Sequence, residues 1–200
     1  MTQVFKGDKV TPVTLIESGP NFVTQVKTKE KDGYSAVQVG FGNRKEKNIK
    51  KPQRGHLKDI GNLRWMREFR INDAELSAIG ESASGRKRGE EIKISDFSIG
   101  DKITAVAISK GKGFQGVVKR HGFHGGPKSH GQKDKLRAPG SIGASWPQFT
   151  IKGMKMAGRM GSDKVTIKNL EVIEVDEENN IIAIKGAIPG RRGTLVMLKG

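Results

Sequence analysis

"KVTIKNLEVIEVDEENNIIAIKGAIPG", residues 164–190, is the stretch that decides the fold class. Two runs rich in Val and Ile flank the acidic turn "DEENN" at residues 176–180. Runs of β-branched residues bounded by turn residues are typical of strands, and a short polar connection between two such runs is typical of a hairpin. This is the clearest hairpin in the chain, and "TLVMLKG" at residues 194–200 predicts a closing strand.

The N-terminal third shows the same pattern. "VTPVTLIESG" at residues 10–19 and "FVTQVKTKEKDGYSAVQVGFG" at residues 22–42 are rich in Val, Thr and Ile, and "KEKDG" at residues 29–33 predicts a hairpin turn. A basic, polar connection follows at residues 43–65, with a short helical turn expected near "GHLKDIG" at residues 55–61.

Further strands are predicted in the middle of the chain. "RWMREFRI" at residues 64–71 alternates well enough for a strand, with Trp65, Phe69 and Ile71 pointing inward. Two more strands are expected over residues 91–94 and 102–109.

Many short strands separated by Gly-rich turns, with no long segment of helical period, predict a mainly β fold. The architecture that we expect is a closed or nearly closed antiparallel β-barrel. Residues 1–109 and 162–200 would form this globular body, and residues 110–161 would be a long, basic, irregular loop inserted into it.

The composition limits the partners. The 200 residues carry a formal net charge of +16, which indicates a polyanionic partner. No apolar run reaches the ~18 residues of a transmembrane helix, and "MTQVFKGDKV" does not resemble a signal peptide. Cysteine is absent, so disulfides and thiolate sites are excluded. These features together predict a cytoplasmic protein.

Residues 109–161 are the most unusual part of the sequence. They contain eleven Lys and Arg against one acid, Asp134, and twelve of the 53 residues are Gly. A loop of this length without periodicity is usually functional or disordered. Its composition cannot bury enough apolar surface to offset the entropy of ordering the backbone. A nucleic acid is able to order it, because phosphates neutralise Lys and Arg while Gly allows close approach of the backbone.

Aromatic residues within this loop argue against a merely solvated basic segment. Phe114, Phe123, Trp146 and Phe149 are interspersed with the cations, and RNA-binding proteins use such side chains to stack on bases. A few of them are also able to pack on the body. Trp146 is the strongest candidate for an RNA contact, because Pro147 forces it into an extended conformation.

Other functional classes find little support. The spacing of the loop histidines matches no metal-ligand pattern well, so hydrogen bonds to phosphate or ribose are favoured over a metal site. "SKGKGFQG" at residues 109–116 lacks the order of a phosphate loop. "GRKRG" at residues 85–89 is equally compatible with a hairpin tip and an RNA contact. No catalytic arrangement or cofactor fingerprint is present, so neither an enzyme nor a cofactor is expected.

Several motifs are recognisable. "SKGKGFQGVVKRHGF", "RAPGSIGASWP", "KGMKMAGRMG" and "IKGAIPG" occur in the order found in the large-subunit ribosomal protein L3 family, and "GYSAVQVGFG" matches its opening strands. The chain resembles this family, in its bacterial type, almost from end to end.

The resemblance implies a structural constituent of the large ribosomal subunit with a barrel of the translation-protein type. Such a protein binds 23S ribosomal RNA near its 3′ end and nucleates subunit assembly. Its inserted loop reaches toward the peptidyl transferase centre, and it contacts ribosomal proteins of the L14 and L19 families.

Two departures from the family pattern stand out. The bacterial family usually has a Gln at the loop tip that can be methylated, whereas here the segment is "GASWPQ", one residue shorter, with Trp146 near that place. Gln148 lies beyond it, so the modification is not carried over. A Trp at the tip resembles archaeal and eukaryotic members. The family also begins earlier, with a Gly- and Lys-rich strand before the position of Met1, so we expect either a shortened first strand or a start that is set differently in this lineage.

The hypothesis for the loop assigns several kinds of role. Cations neutralise phosphates, glycines allow close approach, and Trp146 acts as a wedge at the tip, while His121, His124 and His130 bond phosphate or ribose. The cations are Lys110, Lys112, Lys119, Arg120, Lys128, Lys133, Lys135, Arg137, Lys152, Lys155 and Arg159, and the glycines are Gly113, Gly140, Gly143, Gly158 and Gly161. The alternatives are an assembly factor or RNA-acting enzyme that leaves the mature ribosome, and a general DNA-compacting protein.

Overall fold

The computed structural model describes residues 1–71 and 87–200. They form two compact units, one made of residues up to 103 together with residues 169–187 and Gly200, the other of residues 104–168 and 188–199. The first unit is built mainly from antiparallel strands, whereas the second contains short antiparallel strand pairs between longer irregular segments. The prediction of a mainly β, antiparallel fold is therefore confirmed.

The described strands and helices are short and alternate along the chain. In order they are β1 (Thr2–Lys6), β2 (Lys9–Glu17), β3 (Asn21–Lys27), α1 (Lys29–Asp32), β4 (Ala36–Asn43), α2 (Lys51–His56), β5 (Leu63–Arg70), β6 (Glu91–Ile92), β7 (Lys102–Ile108), β8 (Phe114–Gln115), α3 (Val117–His121), β9 (Gly158–Arg159), β10 (Lys164–Asp176), β11 (Ile181–Lys185) and β12 (Val196–Lys199).

The first sheet of the first unit is organised around the predicted hairpin. β10 and β11 pair antiparallel, with Val175 opposite Ile182, and the strand order continues from β11 through β2 to β1. One face of this sheet is apolar, because Val13, Ile173 and Ala183 pack together in the core with Val4 against them. On β11 the neighbouring Ile182 and Ile184 are buried as well, so both faces of this strand are covered.

The second sheet of this unit has the order β5–β4–β3–β6. The predicted turn "KEKDG" does connect β3 and β4, in the form of α1 and the residue Gly33, which adopts a φ of 78°. Trp65, predicted to point inward, is half-buried and stacks on Phe41 of β4 with ring centroids 5.9 Å apart. Phe69 and Ile71 are likewise half-buried.

Two local predictions differ from the structure. The helical turn expected over residues 55–61 begins earlier, as α2 at Lys51, because Pro52 stands in the first turn, where its fixed φ favours a helix start. The strand expected over residues 91–94 ends at Ile92, since a 3-10 turn occupies Ile94–Asp96. Of "GRKRG", residues 85 and 86 lie outside the described residues.

In the second unit, β7 pairs antiparallel with β12, the predicted closing strand, and β8 pairs with β9. Ala105, Val106 and Ala107 are buried in this part of β7. Residues 110–161 are not irregular throughout, because they contain β8, α3 and β9. None of the helices that the structure describes is both long and apolar enough to cross a membrane.

Candidate nucleic-acid interface

The two ends of residues 110–161, which we call the arm, are joined by backbone hydrogen bonds. The amide of Lys112 donates to the carbonyl of Met160 at 2.9 Å, and the amide of Met160 donates to the carbonyl of Gly113 at 3.0 Å. Next to them, β8 and β9 pair Phe114 with Arg159. Within the arm, we refer to residues 110–122 and 156–161 as the stem, and to residues 123–155 as the loop.

A short helix closes the stem. Val117, at the start of α3, is only 2% exposed. Arg120 Nη1 donates to the carbonyl oxygen of Met156 at 2.8 Å, and His121 Nε2 donates to the same oxygen at 3.0 Å. One carbonyl therefore holds two consecutive side chains of the helix, which fixes the returning chain against α3.

At two of the predicted glycines, a Cβ atom would overlap another part of the protein. A Cβ on Gly158 would overlap the guanidinium group of Arg120, and one on Gly161 would overlap the carbonyl oxygen of Lys110. Gly161 also adopts a φ of +76°, a conformation that strains L-residues. Gly161 therefore requires glycine for the stem to close, whereas at Gly158 a side chain would displace the flexible Arg120 guanidinium group. At Gly113, Gly140 and Gly143 a Cβ would meet nothing within 4 Å, although the φ values of Gly113 and Gly140, +70° and +81°, also favour glycine.

The predicted cations face solvent. Ten of the eleven are exposed, and Arg120 is half-buried by its bond to Met156. None of the eleven forms an ion pair with any residue that the structure describes. The exposed ten are Lys110, Lys112, Lys119, Lys128, Lys133, Lys135, Arg137, Lys152, Lys155 and Arg159. Their charge is therefore uncompensated by the protein, which is the arrangement that a polyanion requires.

The three histidines are not equivalent. His121 is half-buried and bonded to the backbone, whereas His124 and His130 are exposed. Across residues 1–71 and 87–200, no group of three or more His, Cys, Asp or Glu is placed to hold a metal ion. The geometry thus separates one positioning histidine in the stem from two histidines that are free to face a ligand.

The loop carries an exposed apolar tip. Trp146 is 80% exposed and Phe149 is 70% exposed. Around them, residues 140–145 and 147–150 line an open cavity of about 580 Å³, and the Ser141 hydroxyl donates to the Gly143 carbonyl at 2.7 Å. A large aromatic side chain left in water is uncommon without a partner, and its amphipathic ring suits stacking on a base.

The fold and the arm define a mainly β protein with a basic, glycine-rich extension. Comparison with known proteins is in agreement. The family model "Ribosomal protein L3" matches residues 65–180. The chain is similar to the "Large ribosomal subunit protein uL3" of Herpetosiphon aurantiacus, with 50% identity over 99% of this chain and 91% of that protein.

Proteins of the same name from two other organisms are also similar. The one from Carboxydothermus hydrogenoformans is 46% identical over 100% of this chain and 92% of its own length, and the one from Dehalococcoides mccartyi is 46% identical over 100% and 93%. The chain belongs to the ribosomal protein L3 family.

Proposed function

We propose that this protein binds 23S ribosomal RNA near its 3′ end, nucleates assembly of the large subunit, and extends residues 110–161 toward the peptidyl transferase centre. Membership of the family makes it a structural constituent of the large ribosomal subunit in the cytoplasm, and not an enzyme. The division into a body of residues 1–109 and 162–200 and an RNA-binding arm between them is part of the proposal.

The observation that carries the proposal is the state of the cations in the arm. Ten exposed side chains have no ion pair among the described residues, and Asp134 is the single acid between residues 109 and 161. Phosphates would neutralise these charges and release counterions, which is the main source of affinity in protein–RNA binding.

The remaining arm residues divide by their surroundings. Trp146 would stack at the tip, while His124 and His130 would donate to phosphate or ribose. Gly113, Gly140 and Gly143 have open space where RNA backbone would approach. The internal contacts of Arg120, His121, Gly158 and Gly161 support an RNA contact indirectly, since they hold the stem that presents the loop. Neighbouring proteins of the L14 and L19 families would complete the binding site.

Binding to a 3′ fragment of large-subunit ribosomal RNA over a salt series tests the proposal. The matched chain has residues 124–154 replaced by a short Gly-Ser linker, which removes five cations and leaves the stem bonds to Met156 in place. We expect the slope of log K against log salt to flatten by roughly 0.7–0.9 for each phosphate that the shortened chain no longer neutralises. An unchanged slope in a folded variant would contradict RNA binding by the loop.

A further inference from the structure

A second concentration of positive charge lies in the first unit, at residues 43–58, which we call the α2 segment. Its sixteen residues contain seven Lys and Arg against Glu46. Outside this segment and residues 109–161, the remaining 131 residues carry nineteen basic and nineteen acidic side chains. The entire net charge of the protein therefore resides in two places, and the arm is only one of them.

The α2 segment is held firmly on its unit. Ile49 is 6% exposed and Leu57 is 3% exposed, so the segment is anchored in the core on both sides of α2. Between them the amide of Arg54 donates to the Lys50 carbonyl, and the amide of Leu57 donates to the Gln53 carbonyl, both at 3.0 Å. The seven cations, in contrast, are all exposed: Arg44, Lys45, Lys47, Lys50, Lys51, Arg54 and Lys58.

A neighbouring turn adds two more cations. Arg88 Nη2 donates to the carbonyl oxygen of His56 at 3.0 Å and to that of Lys58 at 3.3 Å, which satisfies the end of α2. Lys87 and Arg88 are themselves exposed. The His56 ring lies 2.9 Å from Gln38 Oε1, which ties the same end to β4. The positive surface is thus built on backbone that is already ordered.

The surface suits phosphate better than an apolar partner. Glu46 and Arg54 form the one ion pair that the described residues show within the α2 segment, with 3.3 Å between Oε1 and Nη1. Six cations remain uncompensated. No large hydrophobic side chain of the segment is exposed, because Ile49 and Leu57 are buried. An apolar groove would need such side chains, whereas an RNA backbone needs only the charges.

We propose that the α2 segment, together with Lys87 and Arg88, is a second RNA-backbone site that binds large-subunit ribosomal RNA independently of the arm. The identity of the RNA rests on the proposed function. Once one site on the chain is bound, binding of the second becomes intramolecular. The affinity of the whole chain for the RNA is therefore far higher than that of either site alone. The chain then joins two segments of the folded RNA.

Charge-neutralised variants of the full chain test this proposal. Each replaces three exposed lysines by Gln, and binding to the 3′ ribosomal RNA fragment is measured over a salt series. The segment variant changes Lys47, Lys50 and Lys51, the arm variant changes Lys128, Lys133 and Lys135, and the control changes Lys9, Lys31 and Lys93 of the first unit. Thermal unfolding confirms that all three fold.

We expect the segment and arm variants each to flatten the salt slope by roughly two to three relative to the control, because three phosphates are no longer neutralised. A variant with all six changes should show the sum of the two effects. If the segment variant matches the control while the arm variant flattens the slope, the second site is refuted and the proposed function stands. If only the segment variant flattens the salt slope, the second site is supported and RNA binding by the arm is refuted.

One further measurement separates RNA from an acidic protein. Binding to poly-glutamate is measured with the same variants and salt concentrations. A segment variant that binds RNA like the control but no longer binds poly-glutamate would assign the surface to an acidic protein partner and overturn the proposal.

Discussion

The Lys27 ammonium lies 2.8 Å from Oε1 of Glu68, across the sheet from β3 to β5. Tyr34 connects the same two groups, since its hydroxyl accepts from Lys27 at 2.6 Å and donates to Glu68 Oε2 at 2.7 Å. The hydrogen bond from Lys27 lowers the pKa of the Glu68 carboxyl, and the bond to Glu68 raises the pKa of the Lys27 ammonium. The three side chains tie the second sheet together on one face.

The first prediction concerns Glu68→Gln. Since the pKa of Glu68 is lower in the folded state, its contribution to stability is present above the unfolded value of about 4.3 and is lost as pH falls through the folded pKa. We expect the variant to be less stable than the wild type at pH 7, with the difference shrinking below about pH 4. Thermal unfolding at both pH values measures this.

Glu17→Gln, which removes an exposed carboxylate from β2, is the matched control and should show little difference at either pH. A stability gap for Glu68→Gln that persists unchanged at the acidic pH would mean that the destabilisation arises from packing rather than from the charge.

The second prediction concerns Gly161→Ala, which tests closure of the stem. Both this position and Gly131 have positive φ, at +76° and +83°, but only at Gly161 would a Cβ overlap a backbone atom. We expect Gly131→Ala to cost roughly 1–2 kcal/mol from the backbone conformation alone, and Gly161→Ala to cost more. Chemical denaturation measures the unfolding free energy of both variants. An equal decrease in the two would contradict the prediction, because the overlap with the Lys110 carbonyl would then add nothing.

The third prediction concerns Leu57→Ala in the anchor of the α2 segment. Leu57 is 3% exposed, and truncating a buried Leu costs about 2–5 kcal/mol. We expect that decrease in unfolding free energy together with weaker RNA binding. Leu15→Ala is the control, because Leu15 is 52% exposed and its truncation should change little. If RNA binding stays intact at a temperature where Leu57→Ala is folded, the anchor does not orient the cations.

The fourth prediction concerns Trp146→Ala at the tip of the loop. Because its side chain is 80% exposed, we expect no change in the thermal unfolding of the free protein. We expect altered peptidyl transfer or antibiotic response in large subunits that contain the variant. A lowered unfolding temperature would instead identify Trp146 as a packing residue.

The fifth prediction separates a resident protein from an assembly factor. We expect one copy of the chain to co-sediment with each mature large subunit after a high-salt wash, because two RNA sites would have to detach together. Quantitative mass spectrometry of the washed subunits measures the ratio. Recovery only from precursor particles would favour the assembly factor.

The sequence predicts well what depends on neighbouring residues. The hairpin around residues 176–180 is confirmed because alternating β-branched runs and an acidic turn specify it locally. The predicted helical turn starts a few residues later than α2 does, although Pro52 marks the true start. The exposure of the cations in the arm is equally predictable from the sequence, since Lys and Arg are rarely buried without partners.

Contacts between distant residues could not be predicted in this way. Arg120 and Met156 are 36 residues apart, and no pattern in the sequence pairs them. The Lys27–Glu68 pair depends on the order β5–β4–β3, which composition does not reveal. For the same reason, the prediction from the sequence is a single irregular loop over residues 110–161. In the structure, hydrogen bonds divide these residues into the stem and the loop.

Because the Lys112 amide donates to the Met160 carbonyl, the stem is closed before the loop begins. Since the stem already brings the chain ends together, adding or removing a residue beyond it changes the closure entropy by only a small amount, about 0.6 kcal/mol even for a doubling of length. The reach and chemistry of the tip are therefore able to diverge between lineages while the rest of the molecule stays the same.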